Sequence, residues 1–88
     1  LDSILSTIRR RIEQAKSYPD AARRDGIQGT VDLRFRVAGD GSVELVEILG
    51  SSGSPILDRA SEETIRRAAP FPAYQGWIRL PLSYRLDE

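Results

Sequence analysis

Between Gly29 and Leu49 the chain reads GTVDLRFRVAGDGSVELVEIL, and its first half alternates without exception. Val31, Leu33, Phe35 and Val37 share one phase, while Thr30, Asp32, Arg34 and Arg36 share the other. A period of two, with β-branched and aromatic residues on one side, predicts a half-buried strand. Ala38-Gly39-Asp40-Gly41 supplies glycines for the positive-φ positions of a tight reversal. A second strand then starts at Ser42. Its phase slips, because Val43 and Leu45 agree but Val46 and Ile48 take the opposite side. One extra residue near Glu44-Leu45, a β-bulge, would return the later side chains to the core face. A lone hairpin is marginal in water, so the flanking segments must cover its apolar side.

Those segments have the right patterns. Residues 2–16 place Ile4, Leu5, Ile8, Ile12 and Ala15 at helical spacing, with Asp2 or Ser3 available as cap. Tyr18-Pro19 interrupts this helix, and Pro19 suits the first turn of a short second helix through Ala21, Ala22 and Arg24, stopped by Gly26. After the hairpin, Gly50-Ser51-Ser52-Gly53 reads as a polar turn. Ser54 as cap and Pro55 at the first helical position open a helix to Ala69. Its apolar side carries Ile56, Leu57, Ala60, Thr64, Ile65 and Ala68; Arg59–Glu63 and Glu62–Arg66 are spaced for i,i+4 pairing on the other. From Trp77 to Leu86 alternation returns, with Ile78, Leu80, Leu82, Tyr84 and Leu86 inward. Pro81 lies within this run and lacks an N–H, which predicts an edge strand whose odd-numbered backbone groups look outward. The expected architecture is a single α+β domain over residues 1–88, in the order α-(α)-β-β-α-β. Helices cover one face of a three-stranded antiparallel sheet whose strand order the pattern leaves open.

Composition removes several classes of function. With neither Cys nor His, the chain has no thiol nucleophile, no imidazole base and no zinc site of the usual ligands. Thirteen basic and thirteen acidic side chains cancel, which argues against a nucleic-acid binder held by its overall field. The arginine pairs are interleaved with acids, and the outward strand positions lack the stacking aromatics of an RNA platform. Ser51-Ser52-Gly53 has no Lys at P-loop spacing. An enzyme, a cofactor and a small-molecule substrate are therefore not expected. Asp32, Glu44 and Glu47 are read as cross-strand partners of Arg34, Arg36 or Arg79. No apolar run approaches a membrane span. The start at Leu instead of Met suggests a fragment.

Taken in order, Tyr18-Pro19, Ala22-Arg23, Gly29-x-Val31, Phe35-x-Val37, Asp40-Gly41-x-Val43, Ser51-Ser52-Gly53, Leu57-Asp58 and Ala69-Pro70-Phe71-Pro72 resemble the C-terminal domain of the TonB family of energy transducers. The resemblance runs from about Tyr18 to Leu86. It implies a periplasmic domain of a protein anchored in the inner membrane and driven there by an ExbB–ExbD motor. It further implies capture of the TonB box of an outer-membrane transporter by strand addition, for uptake of siderophores or similar nutrients. Carried over by position, the partner-binding edge is Ile78, Arg79, Leu80, Leu82, Ser83, Tyr84 and Arg85. Flanking contacts fall at Tyr74, Trp77, Lys16 and Ser17. Family members with an extended segment before Tyr-Pro use it to touch the box; here Ile12 to Lys16 continue a helix, a departure on that side. In the loop PFPAYQGW, Phe71 and Trp77 either grip the partner or close the core at the end of the sheet, and small cores favour the second. Two further readings stay open: a TolA-type envelope-integrity domain of similar fold, and a TonB-like module that dimerises by exchange of its last strand.

Overall fold

The computed structural model describes residues 3–86. Its elements are α1 (Ser3–Ala15), α2 (Asp20–Arg24), β1 (Gly29–Val37), β2 (Val43–Gly50), α3 (Pro55–Ala68) and β3 (Trp77–Tyr84). The sheet is antiparallel in the order β2-β1-β3, so the strictly alternating strand is the central one. Val31, Leu33 and Phe35 are fully buried beneath the helices, as their shared phase predicts. α1 adds Ile8 and Ile12, α3 adds Leu57 and Ile65, and β3 adds Ile78, Leu80, Leu82 and Tyr84. Burying one such side chain contributes about 1.5–3 kcal/mol, which is how a single layer of helix holds an open sheet.

The hairpin turns as expected, with one refinement. Gly41 takes φ +91°, whereas Gly39 stays out of the left-handed region. Asp40 stabilises the turn by accepting from the Ser42 amide at 3.0 Å and the Ser42 hydroxyl at 2.7 Å. Those bonds hold its carboxyl below the usual value of 3.8. In β2, Val37 pairs with Val43 but Arg36 pairs with Leu45, so Glu44 is the bulged residue. A second shift, between Leu33↔Ile48 and Asp32↔Gly50, makes Leu49 another extra residue. Nothing in the alternation of β2 announces it. The two shifts leave an irregular strand with Val43 and Val46 half-buried and Leu45, Ile48 and Leu49 exposed, so the Glu44 bulge returns Val46 to the core side but does not bury Ile48.

Several local expectations need correction. Asp2, one of the proposed caps of α1, lies outside the described residues. Ser54 occupies the N-cap position of α3, but its hydroxyl makes no capping bond. Asp58, one turn in, reaches back instead and accepts from Ser51 Oγ at 2.5 Å, Ser52 N at 3.0 Å and Ser52 Oγ at 2.8 Å. Burial pushes the Asp58 carboxyl up, yet these serine bonds together outweigh it and hold the group below its ordinary value. The Ser-Ser-Gly turn is thus clamped to the start of α3. Pro19 is the residue before α2, not its first. Strand β3 ends at Tyr84, and Leu86 is half-buried beyond it. Ile4 and Ile56, assigned to apolar stripes, are exposed. The pairs Arg59–Glu63 and Glu62–Arg66 are not among the ion pairs of the described residues.

The arginines of the helices act elsewhere. Arg11 of α1 donates to the Ala68 carbonyl at the end of α3, at 3.3 and 3.4 Å. Arg67 of α3 donates to the Ala15 carbonyl at the end of α1, at 2.8 Å. Each helix therefore has its negative C-terminal end satisfied by a cation from the other, a favourable placement for charge and for orphan carbonyls alike. This matters for α1, which has no basic residue in its own last turn.

Candidate functional site: the open edge of the sheet

With β1 in the centre, β2 and β3 are both edges, and they differ in regularity. β3 pairs with β1 one residue for one, from Gly29↔Tyr84 to Arg36↔Trp77, without a shift. β2 breaks register twice. Bulges twist an edge and blunt its use as a template, so β3 is the better surface for an added strand.

Pro81, opposite Asp32, fixes which side of β3 is open. An unbroken ladder cannot place a residue without an N–H at a hydrogen-bonded pair. Pro81 and its odd-numbered neighbours Arg79 and Ser83 thus direct their backbone groups away from β1. Lys16 agrees with this direction, since its ammonium reaches the Ser83 carbonyl at 2.8 Å from outside the ladder. The even-numbered residues do the opposite work. Ile78, Leu80, Leu82 and Tyr84 turn their side chains into the core, and their backbone groups serve the ladder to β1. Of the residues carried over as the partner edge, only Arg79, Ser83 and Arg85 are exposed.

The outward face of the sheet is polar and organised in cross-strand rows. Arg79 stands opposite Arg34, an unfavourable pairing of like charges that both side chains avoid by turning to acids. Arg79 Nη2 lies 2.7 Å from Asp32 Oδ2, and Arg34 Nη2 lies 2.7 Å from Glu47 Oε1. Arg36 approaches Glu44 at 3.9 Å. The hydrogen bond from Arg79 holds the Asp32 carboxyl below its ordinary value and raises the guanidinium. All three acids thus take the cross-strand role expected of them.

The aromatic loop divides. Phe71 is buried, with its ring centre 5.4 Å from that of Phe35, so it closes the core. Trp77 sits on the outward face, half-buried beneath the guanidinium groups of Arg34 at 4.0 Å and Arg36 at 5.5 Å. It does not close the core, because its odd number puts it in phase with Arg79. Tyr74 packs half-buried on the core margin and lines a shallow hollow with Arg36, Val37 and Glu44.

At the far end of β3, a cleft of ≈ 350 Å³ is lined by Lys16, Tyr18, Ser83, Tyr84 and Arg85. Tyr18 and Tyr84 meet edge to face at 5.5 Å, and the Tyr18 hydroxyl donates to the Ile27 carbonyl. Ser17 is exposed in the link between α1 and Tyr18. Two residues of this end escape the sequence reading. Thr30 shares a hydrogen bond with Ser83, Oγ to Oγ at 3.2 Å, and its outward phase in β1 is the available signal. Just before β1 begins, the Gln28 side chain accepts from the Leu86 amide at 2.7 Å and ties down the chain beyond β3; no pattern marks it.

These features define a class: a small α+β domain with helices on one face of an antiparallel three-stranded sheet, one of whose two edges is regular. Residues 14–86 match the family described as the Gram-negative bacterial TonB protein C-terminal, and the chain belongs to that family. TonB of Pseudomonas putida is 48% identical over 63 residues, taking in 72% of this chain and 26% of that protein. TonB of Helicobacter pylori strain 26695 is 32% identical over 90 residues, taking in 99% and 32%. The chain thus spans about a quarter to a third of the length of these curated relatives. The solution structure of a Helicobacter pylori TonB C-terminal domain superposes with a TM-score of 0.88 at 32% identity, covering 100% of this chain and 85% of that one. That likeness bears out the α+β fold and its open three-stranded sheet. The TolAIII domain, solved bound to a peptide derived from the N-terminus of TolB, superposes at 0.73 with 17% identity, covering 98% and 77%; it shares the fold.

Proposed function

We propose that this domain is the receptor-engaging, periplasmic end of a TonB-type energy transducer. In this reading it captures the TonB box of an outer-membrane transporter by strand addition to β3. The whole protein would be anchored in the inner membrane and coupled to an ExbB–ExbD motor, delivering proton-motive energy for uptake of siderophores or similar nutrients.

The observation that carries the reading is the contrast between the two edges. β3 pairs with β1 without a shift and turns Arg79, Pro81 and Ser83 outward, while β2 is bulged at Glu44 and Leu49. Main-chain pairing along such an edge is nearly blind to sequence and gains selectivity from alternate side chains. Pro81 withholds one donor from it, so the expected affinity is modest.

An amide-resolved NMR titration with TonB-box peptides, against a scrambled control, tests this. The expected result is a set of shifts concentrated on residues 78–85 and absent with the scramble. Silence with several boxes, or shifts gathered on β2, would overturn it; silence would favour a TolA-type role.

A further inference from the structure

Lys16 follows the last residue of α1 and reaches across to β3, where its ammonium donates to the Ser83 carbonyl at 2.8 Å. Glu13, one turn back, holds the same ammonium at 3.2 Å. The Tyr84 ring centre lies 5.6 Å away. These contacts fix a long cationic side chain that is only 25% exposed, beside an edge that docking requires to be clear.

Neighbouring strands run about 4.8 Å apart. A group 2.8 Å beyond the Ser83 oxygen therefore stands in the lane where the backbone of an added strand would lie. Ser83 is also the outward acceptor nearest to Pro81 on its C-terminal side, so its carbonyl is one that an added strand needs. Resting on the docking reading above, we propose that Lys16 is a removable cap on the β3 edge, which an extended main-chain segment must expel in order to pair past Pro81.

Expulsion requires only that the flexible Lys16 stem swing aside, because the backbone around it is tied independently: the Lys16 amide donates to the Glu13 carbonyl at 3.3 Å, and the Ala15 carbonyl receives Arg67.

The test compares the wild-type chain with Lys16→Met, which keeps the apolar stem, and with Lys16→Ala. The probe is a synthetic TonB-box peptide. In the free variants the carbonyl ¹³C resonance of Ser83 shifts as it loses the ammonium. Both variants bind the peptide about five-fold more tightly, equivalent to about 1 kcal/mol. An unmoved Ser83 carbonyl, or equal or weaker binding by both variants while β3 still responds, overturns the cap and leaves docking intact. No peptide response in wild type or variants overturns docking, and the cap with it.

Discussion

At Gly41 the backbone passes through φ +91° with a second chain segment pressed against it. A Cβ there would meet the Phe71 carbonyl oxygen at 2.6 Å and the Pro70 ring at 3.1 Å. The Phe71 amide also donates to the Gly41 carbonyl at 2.8 Å, so the Pro-Phe-Pro segment is fastened to the hairpin turn at this residue. That contact seats Phe71 against Phe35. Gly41→Ala combines left-handed strain with a clash against backbone that cannot swing aside. The expected loss is about 2–4 kcal/mol, read as a lowered urea midpoint. Gly39→Ala, two residues away, meets open space at an ordinary φ. It should be neutral or stabilising by up to about 1 kcal/mol. Equal losses at both positions would mean that the turn responds to side-chain bulk in general, and the Phe71 contact would lose its special place.

Between elements, the same parity that makes β3 an edge sorts its residues into two functions. Proline at an outward position removes a donor that β1 never uses, whereas proline at an inward one breaks the ladder. Ser83→Pro and Arg79→Pro should therefore keep the fold while weakening capture of a TonB-box peptide at least several-fold. Leu82→Pro should cost about 3 kcal/mol or more and unfold much of the population. Circular dichroism with the peptide titration separates the cases, with Arg59→Ala on α3 as a control that changes neither. Loss of fold in Ser83→Pro would reverse the assigned parity. This parity is legible in the sequence because Pro81 interrupts a clean alternation, and the central role of β1 follows from the cleanest alternation of all. The Glu44 bulge is legible from the phase slip in β2, but the Leu49 bulge is not, since it falls at the strand end where no later apolar residue reports the change. The large apolar ring of Trp77 argues for burial in the core, but its phase with Arg79 and the two guanidinium groups above it decide otherwise. Ser54 has the composition of a cap but makes no capping bond, while Asp58 clamps the preceding turn through contacts that only folding brings together. The pairing of Arg11 and Arg67 with the opposite helix ends depends on how α1 and α3 lie against each other, which periodicity within one helix does not encode.

For the whole molecule, the titratable groups set a simple response to pH. The chain has no His, and its acidic and basic side chains balance. Three carboxyls are held below their ordinary value of 3.8: Asp32 by Arg79, Asp40 by Ser42, and Asp58 by Ser51 and Ser52 against the opposing effect of burial. A carboxyl whose folded pKa is depressed binds its proton more readily in the unfolded chain. Its stabilisation is complete above the unfolded value and fades as pH falls through the folded one. From these groups the urea midpoint should stay level between about pH 5.5 and 8 and decline once the pH drops below about 4. The three contributions differ in what they fasten. Asp32 joins two strands on an exposed face, and Asp40 serves its own turn, so neutralising either should disturb little beyond its neighbours. Asp58 ties the Ser-Ser-Gly turn to the first turn of α3, and Ser52 in that turn packs against Gly29 at the start of β1. Its protonation should therefore be felt in the joint between helix and sheet. Asp58→Asn, which keeps the shape and removes the titration, should lower the midpoint at neutral pH and flatten its acid decline. An unchanged acid slope in that variant would assign the decline to the other carboxyls and leave the Ser51–Ser52–Asp58 clamp with no part in the pH response.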